Sequence, residues 1–97
     1  MYRLLFSERY KSDLERVEDP AGAVTKRLEN AVYWMLRSDP SSGLPLMTVP
    51  GVRVIRVWIV APLVGVRVVY RIDEADKSVE LLALQQFTQA YLSDLEE

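Results

Sequence analysis

The 97-residue sequence contains no cysteine and no histidine. Without cysteine there is no disulfide framework and no thiolate metal site, and nothing in the chain calls for an oxidising compartment. Without histidine the commonest metal ligand is missing, along with the side chain most used as a general acid or base near neutral pH. Histidine-based triads and most zinc chemistry are thereby excluded, and neither a metal nor any other cofactor is expected. Long hydrophobic runs are lacking too. The opening MYRLLFSERYKSD has too short an apolar run for the core of a signal peptide. The longest weakly charged stretch, Val57 to Val66, carries Pro62 and Gly65 and is far too short to span a bilayer. The expectation is a cytoplasmic protein that does not enter a membrane.

What the chain does contain is 49% hydrophobic and 27% charged residues, the composition of an ordinary globular domain with room for one core. A single domain over residues 1–97 is expected. The net charge of −2 conceals a segregation. Met1 to Thr48 holds seven basic and seven acidic residues. From Val49 to Ile72 the four charges are all arginine: Arg53, Arg56, Arg67 and Arg71. Asp73 to Glu97 carries seven acids against Lys77 alone. Strand arginines can decorate a solvated sheet face, or they can form an anion-binding face suited to RNA, DNA or an acidic partner.

Tyr2, Leu4 and Phe6 alternate with Arg3 and Leu5, which predicts a first strand over Tyr2 to Phe6. Ser7 is placed to cap a helix whose apolar positions are Tyr10, Leu14 and Val17. Asp19 and Pro20 suit the cap and first turn of a second helix. There Val24, Leu28, Ala31, Val32, Met35 and Leu36 form a stripe broad enough to lie on a sheet, ending near Ser38-Asp39-Pro40. Tyr33 and Trp34 border that stripe, as packing residues or as partner contacts. Asp39 to Gly51, with Pro40, Gly43, Pro45 and Pro50, reads as a long irregular loop and the most mobile segment.

Two strand-like runs follow, Val52 to Val60 and Val66 to Asp73, close enough to form a hairpin. With Val60 paired to Val66, one face carries Val54, Trp58, Val60, Val66, Val68, Tyr70 and Ile72, a core face interrupted only by Arg56. The other face gathers Arg53, Arg67 and Arg71, with Asp73 opposite Arg53. A slip of one residue would scatter the arginines over both faces. A third strand is expected over Ser78 to Leu84, where strand parity leaves the facing of Glu80 open. Phe87, Tyr91 and Leu95 recur every four residues and suggest a C-terminal helix capped near Thr88. The acidic end, Ser93 to Glu97, reads as a solvated terminus. The expected class is α+β, in the order β-α-α-β-β-β-α, a helical hairpin packed on an antiparallel sheet.

That order, together with VRVVYRIDEADKSVELLAL, resembles the RelE/ParE superfamily of bacterial toxin-antitoxin toxins. Val66-Arg67-Val68-Val69-Tyr70 matches the segment that opens the strand after the hairpin in that family, and the loop containing Asp39-Pro40 is shared. The resemblance covers essentially the whole chain. It implies the toxin component of a type II toxin-antitoxin system, linked to plasmid stabilisation and neutralised by a small cognate antitoxin docked across the sheet, with room for a homodimer. RelE-like members are ribosome-dependent endoribonucleases that cleave ribosome-bound mRNA, in which a 2′-hydroxyl attacks the adjacent phosphate. Such a site needs a base, an acid and cations. ParE-like members inhibit DNA gyrase and need no hydrolytic site.

By this resemblance Arg67 would hold the phosphate, with Arg53 or Arg56 as the basic position of the preceding strand, and Tyr91 would stack on or orient the substrate. The packing role of Tyr91 in a helix with Phe87 and Leu95 stands beside that. Arg56, Arg71 and Gln85 would belong to the substrate or partner face. Where ribonuclease members usually place an arginine or histidine as proton donor, this chain reads Ala83-Leu84-Gln85-Gln86-Phe87, and glutamine donates no proton to a leaving group. No lysine lies between Lys26 and Lys77, and the sequence pI is about 5.2, low for a ribosome-entering protein. A non-catalytic interaction module is therefore the alternative of a different class. An RNA-binding domain stacking bases on Trp58 or Tyr70 is a third, and the face assignment above speaks against it by burying both.

Overall fold

The computed structural model describes residues 1–17, 22–59 and 64–88. The first strand, β1 (Arg3–Phe6), leads into α1 (Glu8–Arg16) through Ser7, whose Oγ accepts the Tyr10 N–H at 3.0 Å as the N-cap. The expected start of the second helix at Asp19-Pro20 falls outside the described residues. Its described part begins at α2 (Ala23–Arg27), after Gly22 in the left-handed conformation, and passes through a π-helical turn (Leu28–Val32) into α3 (Tyr33–Ser38). Backbone angles stay helical at both joints, so the three pieces form one rod. Its buried residues are Val24, Leu28, Val32 and Leu36, every fourth position. With 3.6 residues per turn such a row would drift around a plain α-helix. The wider π turn counteracts that drift and keeps the row facing the sheet.

Five strands are ordered β1-β5-β4-β3-β2, where β2 is Leu44–Pro45, β3 Val52–Ile59, β4 Val64–Asp73 and β5 Ser78–Thr88. The α+β class with a helical pair on one face stands, but the sheet is mixed, because β1 runs parallel to β5 while the other pairs are antiparallel. The chain crosses from β1 through both helices before returning, as a parallel pair requires a long connection. Tyr10, Val24, Leu28, Val32 and Leu36 from the helices meet Val57, Val66, Val68, Tyr70, Val79, Leu81 and Leu84 from the sheet.

Four further expectations change. The Asp39–Gly51 connection is not irregular throughout: it holds a 3-10 turn (Pro40–Ser42) and the edge strand β2, which pairs with Arg53 and Val54. β5 does not stop at Leu84 but continues to Thr88, opposite Val64, because β4 is long enough to supply partners throughout. Thr88 is thus a strand residue and not a helix cap, and a helix through Tyr91 and Leu95 would lie outside the described residues. The hairpin register also differs. Val66 pairs with Val57, not Val60, a shift of three residues, and an odd shift exchanges the faces of β3 relative to β4. Arg53 therefore leaves the arginine face and Arg56 joins it, together with Val54 and Trp58. The exchange has an energetic reason: it buries Val57 against the helices and places Arg56 in water, where the expected register would have done the reverse.

A bulge completes the geometry. Val69 faces Ala83 and Tyr70 faces Leu81, so Leu82 is an extra residue in β5. Beyond Leu81 the outer edge of β5 has no β1 residue to pair with. Ser7 and Asp13 take over: Ser7 Oγ donates to the Leu82 carbonyl at 3.0 Å, and Asp13 Oδ2 accepts the Leu84 N–H at 3.0 Å. Helix α1 is thereby fastened to the strand at the bulge.

Candidate functional site

Among the described residues the helices cover one face of the sheet and leave the other open, and strand alternation decides which charges reach it. On the open face Arg56 of β3 stands directly opposite Arg67 of β4. Arg71 follows four residues along β4, opposite Glu80. Gln85 of β5 stands opposite Arg67. The bulge at Leu82 is what lets Glu80 and Gln85, of opposite parity, share this face.

Arg67 Nε donates to Gln85 Oε1 at 2.8 Å, and its Nη2 donates to the same oxygen. The partner is neutral, so the guanidinium is oriented without losing its charge, and its remaining N–H groups stay available. Arg56 is exposed and has no hydrogen bond or ion pair among the described residues. Arg71 lies 3.9 Å from Glu80 in a solvated ion pair. Like charges directly opposite in a sheet are unfavourable. The Arg56–Arg67 pair is therefore an arrangement that an anion would relieve.

Trp58 lies on the same face, two residues beyond Arg56, and is 39% exposed. Its partner across the hairpin is Gly65, which contributes no side chain. The sequence-based expectation that Trp58 is buried is thus overturned, whereas Tyr70 is fully buried as expected.

Arg53 has a different position. It shares the helix-covered side of the sheet with Tyr70, its pairing partner, and its Nη1 donates to the carbonyls of Gly43 at 2.7 Å and Ser41 at 3.1 Å. Tyr70 Oη donates to the Pro40 carbonyl at 2.6 Å and accepts the Gly43 N–H at 3.1 Å. Burial raises the Tyr70 phenol above its ordinary range, partly offset by the Gly43 N–H. Together these two side chains bind the 40–43 turn to the sheet. A Cβ on Gly43 would meet the Tyr70 hydroxyl and come within 3.0 Å of the Val54 carbonyl, so the position demands glycine for space.

Two phenols pair at the edge of the core: Tyr10 and Tyr33 hydroxyls are 2.8 Å apart, with the Phe6 ring tilted against Tyr10 and edge-on to Tyr33. Burial pushes both phenols up, Tyr10 the further. Tyr91 lies outside the described residues. Among those described, no cluster of carboxylates suits a metal ion, and no helix is long and apolar enough to cross a membrane. Sequence reading had missed the clamping role of Asp13, whose side chain is only 10% exposed; nothing in the helix pattern distinguishes it from a surface acid.

No family model matches the chain, and no curated protein matches it. Solved structures do. The isolated RelE toxin of E. coli superposes with a TM-score of 0.69 at 18% identity, covering 99% of this chain and 97% of that one. The intact E. coli RelBE toxin-antitoxin complex gives 0.67 at 18% identity, over 92% and 100%. The RelBE2 toxin-antitoxin complex of Mycobacterium tuberculosis gives 0.62 at 17%, over 89% and 98%. At such identities the shared property is the fold, and the chain has a RelE-like fold.

Proposed function

We propose that this chain, with the fold of the RelE toxins, is the toxin half of a toxin-antitoxin pair and that it works through the open face built on Arg56 and Arg67. The observation that carries the reading is the end-to-end likeness to RelE, both alone and within RelBE complexes. The small antitoxin expected from that likeness would neutralise the protein in the cytoplasm. Two guanidinium groups without a carboxylate beside them suit an acidic or phosphorylated target.

The chemistry of the face favours inhibition by binding over strand cleavage. Attack by a 2′-hydroxyl needs a proton acceptor and a donor within hydrogen-bonding reach of the phosphate. Gln85 supplies neither, and the described acids of this face, Glu80 opposite Arg71 and Asp73 two residues beyond Arg71, stand four and six positions along β4 from Arg67. A gyrase-type target fits that inventory more readily than ribosome-bound mRNA. The neutral Arg67–Gln85 pair also favours a second reading, a non-catalytic relative that uses the same face only to hold a protein partner.

Induction of the protein alone in a bacterial host tests the proposal, with mRNA integrity and plasmid supercoiling read from the same cultures. Arrest with altered supercoiling is the expected outcome. Arrest with cleaved mRNA would reinstate the ribonuclease activity and turn attention to Tyr91. A folded protein without arrest would overturn the toxin reading in favour of the interaction module.

A further inference from the structure

The two edges of the sheet differ in what their backbones offer. At β2, Leu46 donates its N–H to the Val52 carbonyl at 2.8 Å, so Leu44 and Leu46 turn toward β3 and Pro45 turns outward. Proline has no N–H, and the outward position of β2 therefore presents no donor to a further strand. No proline guards β1. The Arg3 N–H donates to the Lys77 carbonyl at 2.9 Å and the Ser7 N–H to the Leu81 carbonyl at 3.1 Å, so Arg3, Leu5 and Ser7 face β5 while Tyr2, Leu4 and Phe6 face away. The Tyr2 N–H is taken at 2.8 Å by the carbonyl of Arg37, in the last turn of α3. The N–H and C=O groups of Leu4 and Phe6 have no hydrogen-bond partner among the described residues. Beside them, the side chains of Leu5 and Phe6 are left exposed.

We propose that β1 is a self-association edge, at which two copies of this chain pair antiparallel about a two-fold axis at Leu5 and join their five-stranded sheets into one. In that register Leu4 of each copy lies opposite Phe6 of the other, and each such pair exchanges N–H and C=O groups. Four hydrogen bonds form from groups that one chain leaves unpaired. The two Leu5 side chains meet across the axis on the open face, and Phe6 packs beside Leu4 on the helix-covered face. A two-fold axis requires a surface that complements itself, and the charges meet that condition. Arg37, exposed and without an ion pair among the described residues, marks the start of the strand. Glu8, whose side chain is 93% exposed, stands at its end. Antiparallel pairing brings Glu8 of each copy beside Tyr2, and so beside Arg37, of the other. The axis runs through the sheet, so both open faces lie on one side and neither Arg56–Arg67 pair is covered. A four-residue strand makes a small interface, below about 1,200 Å², so the dimer is reversible, with a Kd between about 1 μM and 1 mM.

The test is sedimentation of the full chain over a concentration series, with hydrogen exchange of individual amides followed by NMR on the same samples. Mass should rise toward that of two chains, and exchange at Leu4 and Phe6 should slow in proportion to the dimer fraction. Leu5→Lys sets two like charges opposite each other at the axis and should weaken the dimer by about tenfold or more, while the exposed position leaves the monomer folded. Arg37→Glu should weaken it about threefold to tenfold, and adding Glu8→Arg to that variant should restore most of the loss. Circular dichroism confirms the fold of each variant.

A chain that stays monomeric up to about 1 mM would overturn the proposal and leave the β1 edge to a strand from another protein. A dimer unaffected by Leu5→Lys, or one in which the Leu4 and Phe6 amides exchange as freely as in the monomer, would overturn it too, by placing the contact elsewhere.

Discussion

Arg67 and Gln85 face each other across β4 and β5, with Nε of one 2.8 Å from Oε1 of the other. The amide orients the guanidinium and leaves its charge intact. A carboxylate at the same position would neutralise it. Replacing Gln85 by Glu should therefore raise stability slightly, by up to about 1 kcal/mol as for an exposed ion pair, while weakening every anion-dependent property of the face. Thermal denaturation and the growth assay, run side by side, check both halves.

The arginines of β3 should behave in opposite ways. Arg53→Ala removes charged donors from the Gly43 and Ser41 carbonyls and should cost about 1–2 kcal/mol. Arg56→Thr removes one of two like charges placed directly opposite and adds a residue well suited to strands, so stability should hold or rise by up to about 1 kcal/mol. Denaturant midpoints of the two variants settle the contrast.

Asp13→Ala should leave the Leu84 N–H at the bulge without its acceptor and cost about 1–3 kcal/mol. Asn at the same position retains an acceptor and should recover most of the loss. Hydrogen exchange at Leu84 reads the effect directly: protection should fall in the Ala variant and return in the Asn variant.

Alkaline stability should depend on the Tyr10–Tyr33 pair. Both phenols are raised in the folded protein, chiefly by burial. An unfolded chain ionises its tyrosines above about pH 10, whereas the folded chain keeps these two protonated. The stability they carry is complete below that pH and is lost as pH rises above it. Replacing both by Phe should reduce the fall in denaturant midpoint between neutral and strongly alkaline pH.

Much of this architecture is legible in the sequence. The helix cap at Ser7, the apolar row from Val24 to Leu36 and the burial of Tyr70 follow from spacing and local chemistry. The register of β3 on β4 does not. Valine and isoleucine occur on both sides of that strand, so the apolar pattern alone cannot choose between pairing Val66 with Val60 or with Val57. That choice decided which of Arg53 and Arg56 joined the open face and whether Trp58 was buried. The bulge at Leu82 was equally hidden, because the hydrogen bonds that stabilise it come from Ser7 and Asp13, more than 60 residues away in sequence. Gln85 could be singled out only by comparison with a family pattern, and its contact with Arg67 only by the fold.

Arg67 is proposed to act on a target and not to support the fold. The most direct measurement is Arg67→Ala, expressed at matched levels beside the unaltered protein, with growth followed in culture and thermal stability followed on the purified chains. Growth inhibition should be lost with a melting transition essentially unchanged, since the side chain's contact is an exposed hydrogen bond to Gln85. Inhibition that persists in a folded variant, or a large drop in melting temperature, would contradict it.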